Sequence, residues 1–522
     1  MRLVFFILAT FTAIFSIGSF DGFYFYDDYN YIFYANQILS GAYQLHNPDI
    51  FAHRLGFILP LALFIKIFGL NEWAVCSLPF LTTLLSLYLL YLFSKNLASK
   101  AAIYALLFFG LDFYTLFFAN KVYPDVLLTT LALASLYVFY YQRKHWYAAL
   151  YFVFLNFWAF LCKELIIYFV PFYVFVCVQD LRRKQNTHFW LTAFATALLL
   201  AFAYFLLYYE LTGNPFFRFQ AIEQGHYTVS FSYFDKPFIH TLKRITYEPF
   251  LMFINTTTMI TLAGAIVFLL VGKSTVRTYF FCSGQNFISY ICLAFLLSLL
   301  MFWLMSTHFS AYNPIGLFPR HILFLLPLGA ILSALALENK KTALLTSTAL
   351  MLSAGWAWKS IGFKTAILYI ITGIWIYFKK YSFFQHKNAI WTIGLAFVLA
   401  LHPVYTMFKP TETGYWAEKE LFESYILPMQ KPCIIYTDDK LLTGHQWYFS
   451  FEKPDFIVFK DFSDWEKDKA LSIDKYILLN QYSIRYFKEL GVAMPKFIET
   501  TPQNWRSVVE KKGVTLYVAL SN

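Results

Sequence analysis

The sequence predicts a polytopic α-helical membrane protein that ends in a small α/β domain. Of its 522 residues, 59% are hydrophobic and only 14% are charged, whereas an average soluble domain carries about 25% charge. Apolar stretches long enough to cross a bilayer, about 17 to 25 residues, recur along residues 1–408. The remaining residues are more polar. A soluble fold could not bury that much apolar surface, so most of the chain is predicted to lie in a membrane.

The apolar stretches predict about thirteen membrane helices. The predicted spans are 3–20, 74–94, 101–118, 123–141, 147–161, 165–179, 189–208, 251–271, 285–305, 320–337, 342–356, 364–378 and 388–408. The first span follows Arg2 and lacks a small-x-small cleavage site, so it is interpreted as a signal anchor. Residues 1–408 are the predicted transmembrane domain.

The basic residues predict the topology. If the N-terminus is cytoplasmic, the inner segments carry 15 Lys and Arg, among them Lys144, Arg183 and Lys380, against two acids. The rest of the chain holds 26 basic and 28 acidic residues. Short cytoplasmic loops are enriched in Lys and Arg, so the net charge of +11 indicates topology rather than nucleic-acid binding. An odd number of spans then leaves 409–522 outside, with the loops 21–73 and 209–250.

Short apolar runs in residues 409–522 predict a small α/β domain. The predicted strands are Cys433–Tyr436, Phe456–Phe459, Tyr476–Leu479 and Val514–Ala519, and a helix is predicted over Ser483–Leu490. Asp438 and Asp439 follow the first strand and are interpreted as exposed turn residues.

Two adjacent acids, Asp27 and Asp28, lie in an aromatic segment just beyond the first predicted span. Neighbouring rings desolvate a carboxylate and bring its pKa closer to neutral, as a general base requires. The alternative is a hydrated loop whose acids balance nearby Lys and Arg. These two residues alone leave both interpretations open.

Other charged residues lie at the outer ends of the predicted spans. They are Asp125 at the fourth span, Lys163 and Glu164 at the sixth, and Arg320 and His321 at the tenth. Each one taken singly could be an interfacial side chain that extends to water. Their accumulation on one side of the membrane instead indicates a shared site.

Asp112 falls within the third predicted span. An acid at mid-helix costs about 2.5 to 3.5 kcal/mol on insertion scales. We therefore expect Asp112 to face the bundle interior, either as a packed hydrogen-bonding group or as part of the site.

An ordered set of motifs runs through nearly the whole chain. It comprises the acid pair Asp27-Asp28, His53-Arg54-Leu-Gly-Phe-Ile-Leu-Pro, Phe68-Gly69-Leu-Asn-Glu72, Tyr123-Pro124-Asp125, Lys163-Glu164, Leu211-Thr-Gly-Asn-Pro215 and Phe318-Pro-Arg320-His321. In this order the motifs resemble the GT-C glycosyltransferases, and most closely their protein O-mannosyltransferase and lipid A aminoarabinose transferase branch.

This resemblance implies an inverting transferase of a bacterial-type cytoplasmic membrane, with its site and C-terminal domain on the outer, periplasmic face. Its donor would be a sugar on polyprenyl phosphate, and its acceptor a hydroxyl of a lipid, a glycan or a protein. Asp27 matches the first-loop acid of the family, Asp28 the acid that follows, and Asp125 the second acid of the site. His53 and Arg54 stand where the family often has an acid and a Lys, and Leu55–Gly69 is then a juxtamembrane helix.

The chemistry of such a transfer also follows from the residue types. A hydroxyl is a weak nucleophile, so a positioned carboxylate that accepts its proton accelerates the reaction roughly a hundredfold to ten-thousandfold. Asp27 is the predicted base. Cations stabilise the departing phosphate. The candidates are Arg54, Lys163, Arg320 and His321, with His53, Glu164 and Asp112 as supporting residues.

We predict no metal ion and no cofactor, because the sequence offers no dense ligand cluster and this branch of the family is generally not metal-dependent. A transporter or flippase of a lipid-linked glycan is the main alternative, since it too would have many spans and a few intramembrane charges. A structural scaffold would leave the charged helix ends unexplained. The long first outer loop and the outer domain favour the transferase.

Overall fold

A computed structural model describes residues 1–24, 26–225, 233, 236–271, 286–308, 311–379, 387–438, 441–465, 467–468, 473–489, 498 and 505–519. Parts of the sequence predictions lie outside this set. They concern the basic residue Lys380, the acid Asp439 and the helix end at Leu490. Asp438, which the sequence predicts to be exposed, is described and is buried, so that prediction is wrong.

The described chain is mainly helical. The first half contains α1 Arg2–Gly18, α2 Asp27–Ser40, α3 Leu55–Phe68, α4 Glu72–Ser94, α5 Ser99–Gly110, α6 Phe113–Phe117, α7 Pro124–Gln142, α8 Ala148–Cys162, α9 Val170–Arg182, α10 Thr187–Thr212 and α11 Phe217–Gly225. The second half contains α12 Phe238–Thr246, α13 Glu248–Asn255, α14 Met259–Val271, α15 Phe287–Leu304, α16 Leu326–Glu338, α17 Lys340–Ser360, α18 Phe363–Phe378, α19 Asn388–Phe408, α20 Tyr415–Leu421 and α21 Gln481–Glu489. Short 3₁₀ segments lead into α9 and α16, at Glu164–Phe169 and Pro319–Leu325.

Seven helices of the described residues are long and apolar enough to cross a membrane, and a bent pair of helices raises the number to eight. Five shorter apolar helices accompany them, at Arg2–Gly18, Leu55–Phe68, Ala148–Cys162, Met259–Val271 and Phe363–Phe378. Every predicted span coincides with a helix or a broken helix. The multi-pass helical membrane fold is thus confirmed, while the count of thirteen crossings stays a prediction.

The third predicted span is not one continuous helix. Its two parts, Ser99–Gly110 and Phe113–Asn120, meet at an angle of 55°. Asp112 lies at the break and caps α6, because its Oδ1 accepts hydrogen bonds from the amides of Tyr114 and Thr115 at 3.0 and 3.1 Å. Such a cap begins a new helix, which corrects the prediction of one helix over 101–118.

The predicted span 251–271 is also interrupted. It divides into α13, which ends at Asn255, and α14, which begins at Met259. Between them Thr257 has a φ of 60°, a left-handed conformation that a β-branched residue rarely adopts and that ends a right-handed helix.

The C-terminal residues form a five-stranded sheet with the strand order β2-β1-β3-β5-β4. The strands are β1 Cys433–Thr437, β2 Ile457–Asp461, β3 Asp474–Asn480, β4 Trp505–Lys511 and β5 Val514–Ala519. Four of them, and the helix α21, fall where the sequence predicts them. The edge strand β4 was not predicted, because most of its side chains are exposed and it has no apolar run.

The sheet domain packs on the first outer loop. Glu72 at the start of α4 accepts a hydrogen bond from the Tyr415 hydroxyl at 2.7 Å and pairs with Lys419 at 2.5 Å. Nearer the acid pair, the Asp21 carboxylate accepts a hydrogen bond from the Thr413 amide at 2.9 Å. The C-terminal domain is therefore held against the end of the helix bundle that carries Asp27.

Candidate active site

The predicted site residues gather at one end of the helix bundle. Asp27 begins α2 and Asp125 follows the first residue of α7. Lys163 directly follows α8, Arg320 is the second residue of the 3₁₀ segment before α16, and Arg54 directly follows the 3₁₀ turn Ile50–His53 that precedes α3. Antiparallel neighbouring helices bring the start of one beside the end of the next, so residues from distant parts of the chain share this end.

A close helix contact at Gly56 brings Arg54 to its partner. A Cβ atom at Gly56 would lie 2.6 Å from the Cys162 backbone nitrogen, so only glycine fits. The Trp158 indole also donates a hydrogen bond to the Gly56 carbonyl at 2.8 Å. This approach of α3 to α8 places Arg54 next to Glu164.

Asp27 forms an ion pair with Arg320. The Arg320 guanidinium also lies over the rings of Tyr123 and Phe318, 4.9 and 5.3 Å from their centroids. The Asp27 side chain keeps 17% of its surface exposed. Asp27 is thus held in place and still reachable from outside.

Asp125 and Lys163 form a second, almost fully buried pair. The Lys163 Nζ donates to Asp125 Oδ1 at 2.7 Å. Burial lowers the pKa of Lys163 to about 8, against the opposing effect of Asp125. Among the described residues, Asp125 Oδ2 has no hydrogen-bond partner although it is buried, which leaves an acceptor available to a bound ligand.

Glu164 is shared by two arginines. Its carboxylate pairs with Arg54 and accepts a hydrogen bond from Arg218 Nη2 at 2.5 Å. Arg218 is fully buried, lies over the Phe160 ring at 4.6 Å and donates to the Phe160 carbonyl at 2.6 Å. Within the described part of the chain, its Nε and Nη1 have no hydrogen-bond partner.

Arg218 was not predicted as a site residue. It is one of four Lys and Arg residues in the predicted outer loop 209–250, where exposed arginines are common. The signal that could have indicated it is its place three residues after Pro215, the last residue of one of the ordered motifs.

The charged pairs belong to one site, because they act on a common neighbour. The Tyr31 hydroxyl is buried, and burial raises its pKa. The charges of Arg54, Asp27, Asp125 and Arg320 all act on this hydroxyl. Tyr31 is therefore close to both cations and both carboxylates of this cluster.

Asp28 has different partners from Asp27. It is fully buried, and its two oxygens accept hydrogen bonds from the amides of Tyr24, at 2.9 Å, and Val122. Burial raises the pKa of Asp28 to about 6, and nearby Lys121 opposes the rise. The geometry of Asp28 is that of a residue that fastens the first outer loop to the start of α7.

Three further predicted residues also have internal partners. His53 contacts the Asn47 carbonyl at 2.7 Å and the Tyr208 hydroxyl at 3.1 Å, and burial lowers its pKa to about 4, so its ring is neutral at pH 7. His321 Nδ1 lies 2.8 Å from the Gly316 carbonyl. The third is Asp112, whose Oδ2 accepts a hydrogen bond from Thr261 at 2.7 Å, the packed hydrogen-bonding role that the sequence left open.

The C-terminal domain reaches the same cluster through α21. The ring of Tyr486 lies 5.3 Å from that of Tyr24, edge to face. Burial raises the pKa of Tyr486, and the charges of Arg320 and Asp27 act on its hydroxyl. One wall of the site therefore comes from residues more than 400 positions after the first outer loop.

An apolar groove of about 350 Å³ lies on one side of the bundle. It lies between α8, α9 and α10, and Phe160, Tyr204 and Phe219 line one part of it. Phe160 is the residue over which Arg218 lies. The groove and the cation cluster are thus adjacent.

The described residues contain no group of three or more His, Cys, Asp or Glu side chains placed to hold a metal ion. Independence of a metal stays a prediction.

Known proteins resemble this chain in sequence and in fold. Residues 55–208 match the family model described as dolichyl-phosphate-mannose-protein mannosyltransferase. The whole chain is similar in structure to ArnT from Cupriavidus metallidurans, in the apo state with a TM-score of 0.59 and bound to undecaprenyl phosphate with a TM-score of 0.57. In both cases the identity is 12%, and the match covers 99% of this chain and 97% of the other. The fold is that of a GT-C glycosyltransferase.

The GT-C resemblance predicted from the ordered motifs is therefore confirmed. The GT-C fold and the mannosyltransferase family match together indicate a membrane glycosyltransferase. No curated protein matches the chain in a sequence search.

Proposed function

We propose that this GT-C protein transfers a sugar from a polyprenyl-phosphate donor to a hydroxyl group of a lipid, glycan or protein, with inversion at the sugar carbon. We further propose that the reaction takes place at the outer face of a bacterial-type cytoplasmic membrane. The predicted topology supports this orientation, because the short loops at the opposite end of the bundle carry the basic surplus.

The observation that carries the proposal is an apolar groove that shares Phe160 with the neighbouring cation Arg218. A polyprenyl phosphate has a long hydrocarbon chain and an anionic head. Its binding site therefore needs an apolar surface next to a cationic one. The groove offers the first, since Phe160, Tyr204 and Phe219 line it at the edge of the bundle. Arg218 and Arg54, joined through Glu164, offer the second.

The cations in this cluster are only partly neutralised. Arg54, Arg218, Lys163 and Arg320 face three carboxylates, those of Asp27, Asp125 and Glu164. The excess positive charge and the two unpartnered nitrogens of Arg218 suit a phosphate group, which accepts several charge-assisted hydrogen bonds.

Donor binding would also change the partners of Asp27. In the structure the Arg320 guanidinium occupies Oδ2 of this carboxylate, an oxygen that would otherwise be open to the acceptor hydroxyl. A donor phosphate that attracts the guanidinium of Arg320 releases Asp27, so the base becomes active when donor is present.

The proposed chemical step is a single displacement. The acceptor oxygen forms a bond to the anomeric carbon while the bond from that carbon to the phosphate oxygen breaks. Asp27 takes the hydroxyl proton as the new bond forms. The polyprenyl phosphate leaves with the bonding electron pair, and Arg54, Lys163 and Arg320 stabilise its charge.

The acceptor would enter between the first outer loop and the C-terminal domain. Tyr24 and Tyr486 form that part of the site, and the charges of Asp27 and Arg320 act on Tyr486. The rings present flat apolar surfaces with polar edges, which suit a sugar or another polar acceptor.

A single-turnover assay tests the proposal. Purified protein in lipid nanodiscs would receive polyprenyl-phosphate sugars together with cell-envelope lipid and glycoprotein fractions, and mass spectrometry would follow product and free polyprenyl phosphate. We expect both to form in equal amounts, and Asp27→Asn to abolish both. If the donor crosses a vesicle membrane without being consumed, the chain is a flippase and the proposal is wrong.

A further inference from the structure

A polar pocket lies at the end of the bundle opposite to the candidate active site, which we call the acid cluster after Asp27 and Asp125. Arg320 precedes α16 and Glu338 ends it, and the span Pro319–Glu338 has 20 residues. At about 1.5 Å per residue the two ends are roughly 30 Å apart, which is the thickness of a bilayer core. The pocket around Glu338 therefore belongs to the other membrane surface.

The pocket has a volume of about 310 Å³ and combines charge with apolar walls. Three lysines line it, Lys100 at the start of α5, Lys340 at the start of α17 and Lys379 after α18, against the single carboxylate of Glu338. Leu344 on α17 belongs to the same lining and is 43% exposed on the outside of the bundle. A positively charged cavity thus meets an apolar surface that faces lipid.

Lys379 is the most informative of these residues. Its Nζ is buried and has no hydrogen-bond partner among the described residues. It forms an ion pair with Glu338 whose N–O distance of 3.8 Å is longer than a hydrogen bond, and it lies over the rings of Tyr104 and Trp391 at 4.3 and 4.8 Å. An ammonium group can donate three hydrogen bonds, so a buried one without an acceptor is costly unless a ligand supplies oxygens.

Phosphate oxygens meet this need best. They are anionic, they accept charge-assisted hydrogen bonds from lysines, and basic pockets between membrane helices on the cytoplasmic side are known to hold anionic lipid headgroups. The apolar lining next to the lysines gives an acyl chain a surface on which to lie.

We propose that this pocket binds a phosphate group, carried either by an anionic phospholipid or by a soluble phosphate compound, at the membrane face opposite to the acid cluster. The site is separate from the proposed transferase chemistry and does not depend on it. A bound phosphate would bridge Lys100, Lys340 and Lys379, which come from three different helices, and would stabilise their packing.

Native mass spectrometry and thermal unfolding test the proposal. The full-length protein would be compared with Lys379→Gln and with the double variant Lys100→Gln/Lys379→Gln, in nanodiscs of phosphatidylcholine with or without phosphatidylglycerol. Each lost lysine should weaken phosphatidylglycerol retention about fivefold. Lys144→Gln is the matched control, because Lys144 is an exposed lysine on the same predicted side of the membrane and outside this pocket.

A parallel arm in detergent would add inorganic phosphate. Retention of phosphatidylglycerol that depends on Lys379 identifies a lipid site, whereas protection by inorganic phosphate alone, also dependent on Lys379, identifies a soluble phosphate site. If neither probe binds, or if Lys144→Gln lowers retention as much as Lys379→Gln, the proposal is overturned.

Discussion

Asp27 forms an ion pair with Arg320, although the two residues lie 293 positions apart in the sequence. The pair joins the first outer loop to the start of α16. In the proposed chemistry the carboxylate acts on the acceptor and the guanidinium on the donor phosphate. The two groups are in direct contact before any substrate binds.

Asp27→Asn should abolish sugar transfer and leave the fold intact. The variant keeps the size and most of the hydrogen-bonding capacity of Asp27 but cannot accept the hydroxyl proton. Single-turnover transfer should fall roughly a hundredfold to ten-thousandfold, which equals about 3 to 5 kcal/mol. Donor affinity should change little. Transfer within a few-fold of wild type would remove Asp27 from the role of base.

Asp28→Asn should act on stability rather than on chemistry, because both oxygens of Asp28 accept backbone amides. Its folded-state pKa of about 6 lies above the ordinary 3.8, so its contribution to stability is full below pH 4 and is lost as the pH rises through 6. The melting temperature of wild type relative to Asp28→Asn should therefore fall between pH 4 and 7. A parallel pH dependence of the two proteins would contradict the assignment, and loss of transfer by Asp28→Asn alone would make Asp28 the base.

Arg54→Ala and Arg320→Ala should weaken donor use. Each removes a charged hydrogen-bond donor, and such bonds contribute about 1.5 to 3 kcal/mol, so the donor KM should rise roughly tenfold to a hundredfold. Steady-state kinetics with donor varied would measure it. Arg506→Ala is the matched control, since Arg506 is exposed on β4. Wild-type donor kinetics in both site variants would exclude them from phosphate binding.

Tyr486→Ala should affect the acceptor and not the donor, because Tyr486 reaches the site from the C-terminal domain next to Tyr24. Loss of one aromatic contact is expected to raise the acceptor KM roughly twofold to tenfold. The comparison variant is Tyr425→Ala, which removes an exposed ring of the same domain. Equal effects of the two variants on acceptor KM would show that Tyr486 has no special place in the site.

The proposed topology can be measured with reporter fusions. Alkaline phosphatase is active only outside the cytoplasm, so a fusion at the C-terminus should be active and a fusion after Lys144 inactive. Both fusions must be produced at normal levels. The reverse pattern would invert the proposed orientation and move the acid cluster to the cytoplasmic face.

The sequence predicted most membrane helices and strands because these elements have a local signal. Long apolar runs mark the helices, and short ones mark four of the five strands. β4 was not predicted because it is an edge strand with a polar, exposed surface. The break at Asp112 was not predicted because the helix cap lies inside a continuous apolar run. Local composition does not distinguish a capped break from an uninterrupted span.

The site was predicted in part for a related reason. Asp27, Asp125 and Arg320 attract notice as charges at helix ends, and the structure brings them together. The different partners of Asp27 and Asp28 could not be foreseen, because those of Asp28 are the backbone amides of Tyr24 and Val122. Arg218 was not predicted as a site residue because its burial arises from packing against Phe160. The spacing of residues in the sequence does not indicate this contact.

The contacts of Glu72 with Tyr415 and Lys419 have a consequence for how the protein is made. The ribosome adds about 5 to 20 residues per second, so Tyr415 is synthesised roughly 20 to 70 s after Glu72, from which it is 343 positions distant. During that interval the first outer loop is already made while the domain that covers it is not. The acid cluster is therefore completed late in biogenesis, and a chain truncated before Tyr415 should carry its membrane helices but expose this loop to proteases.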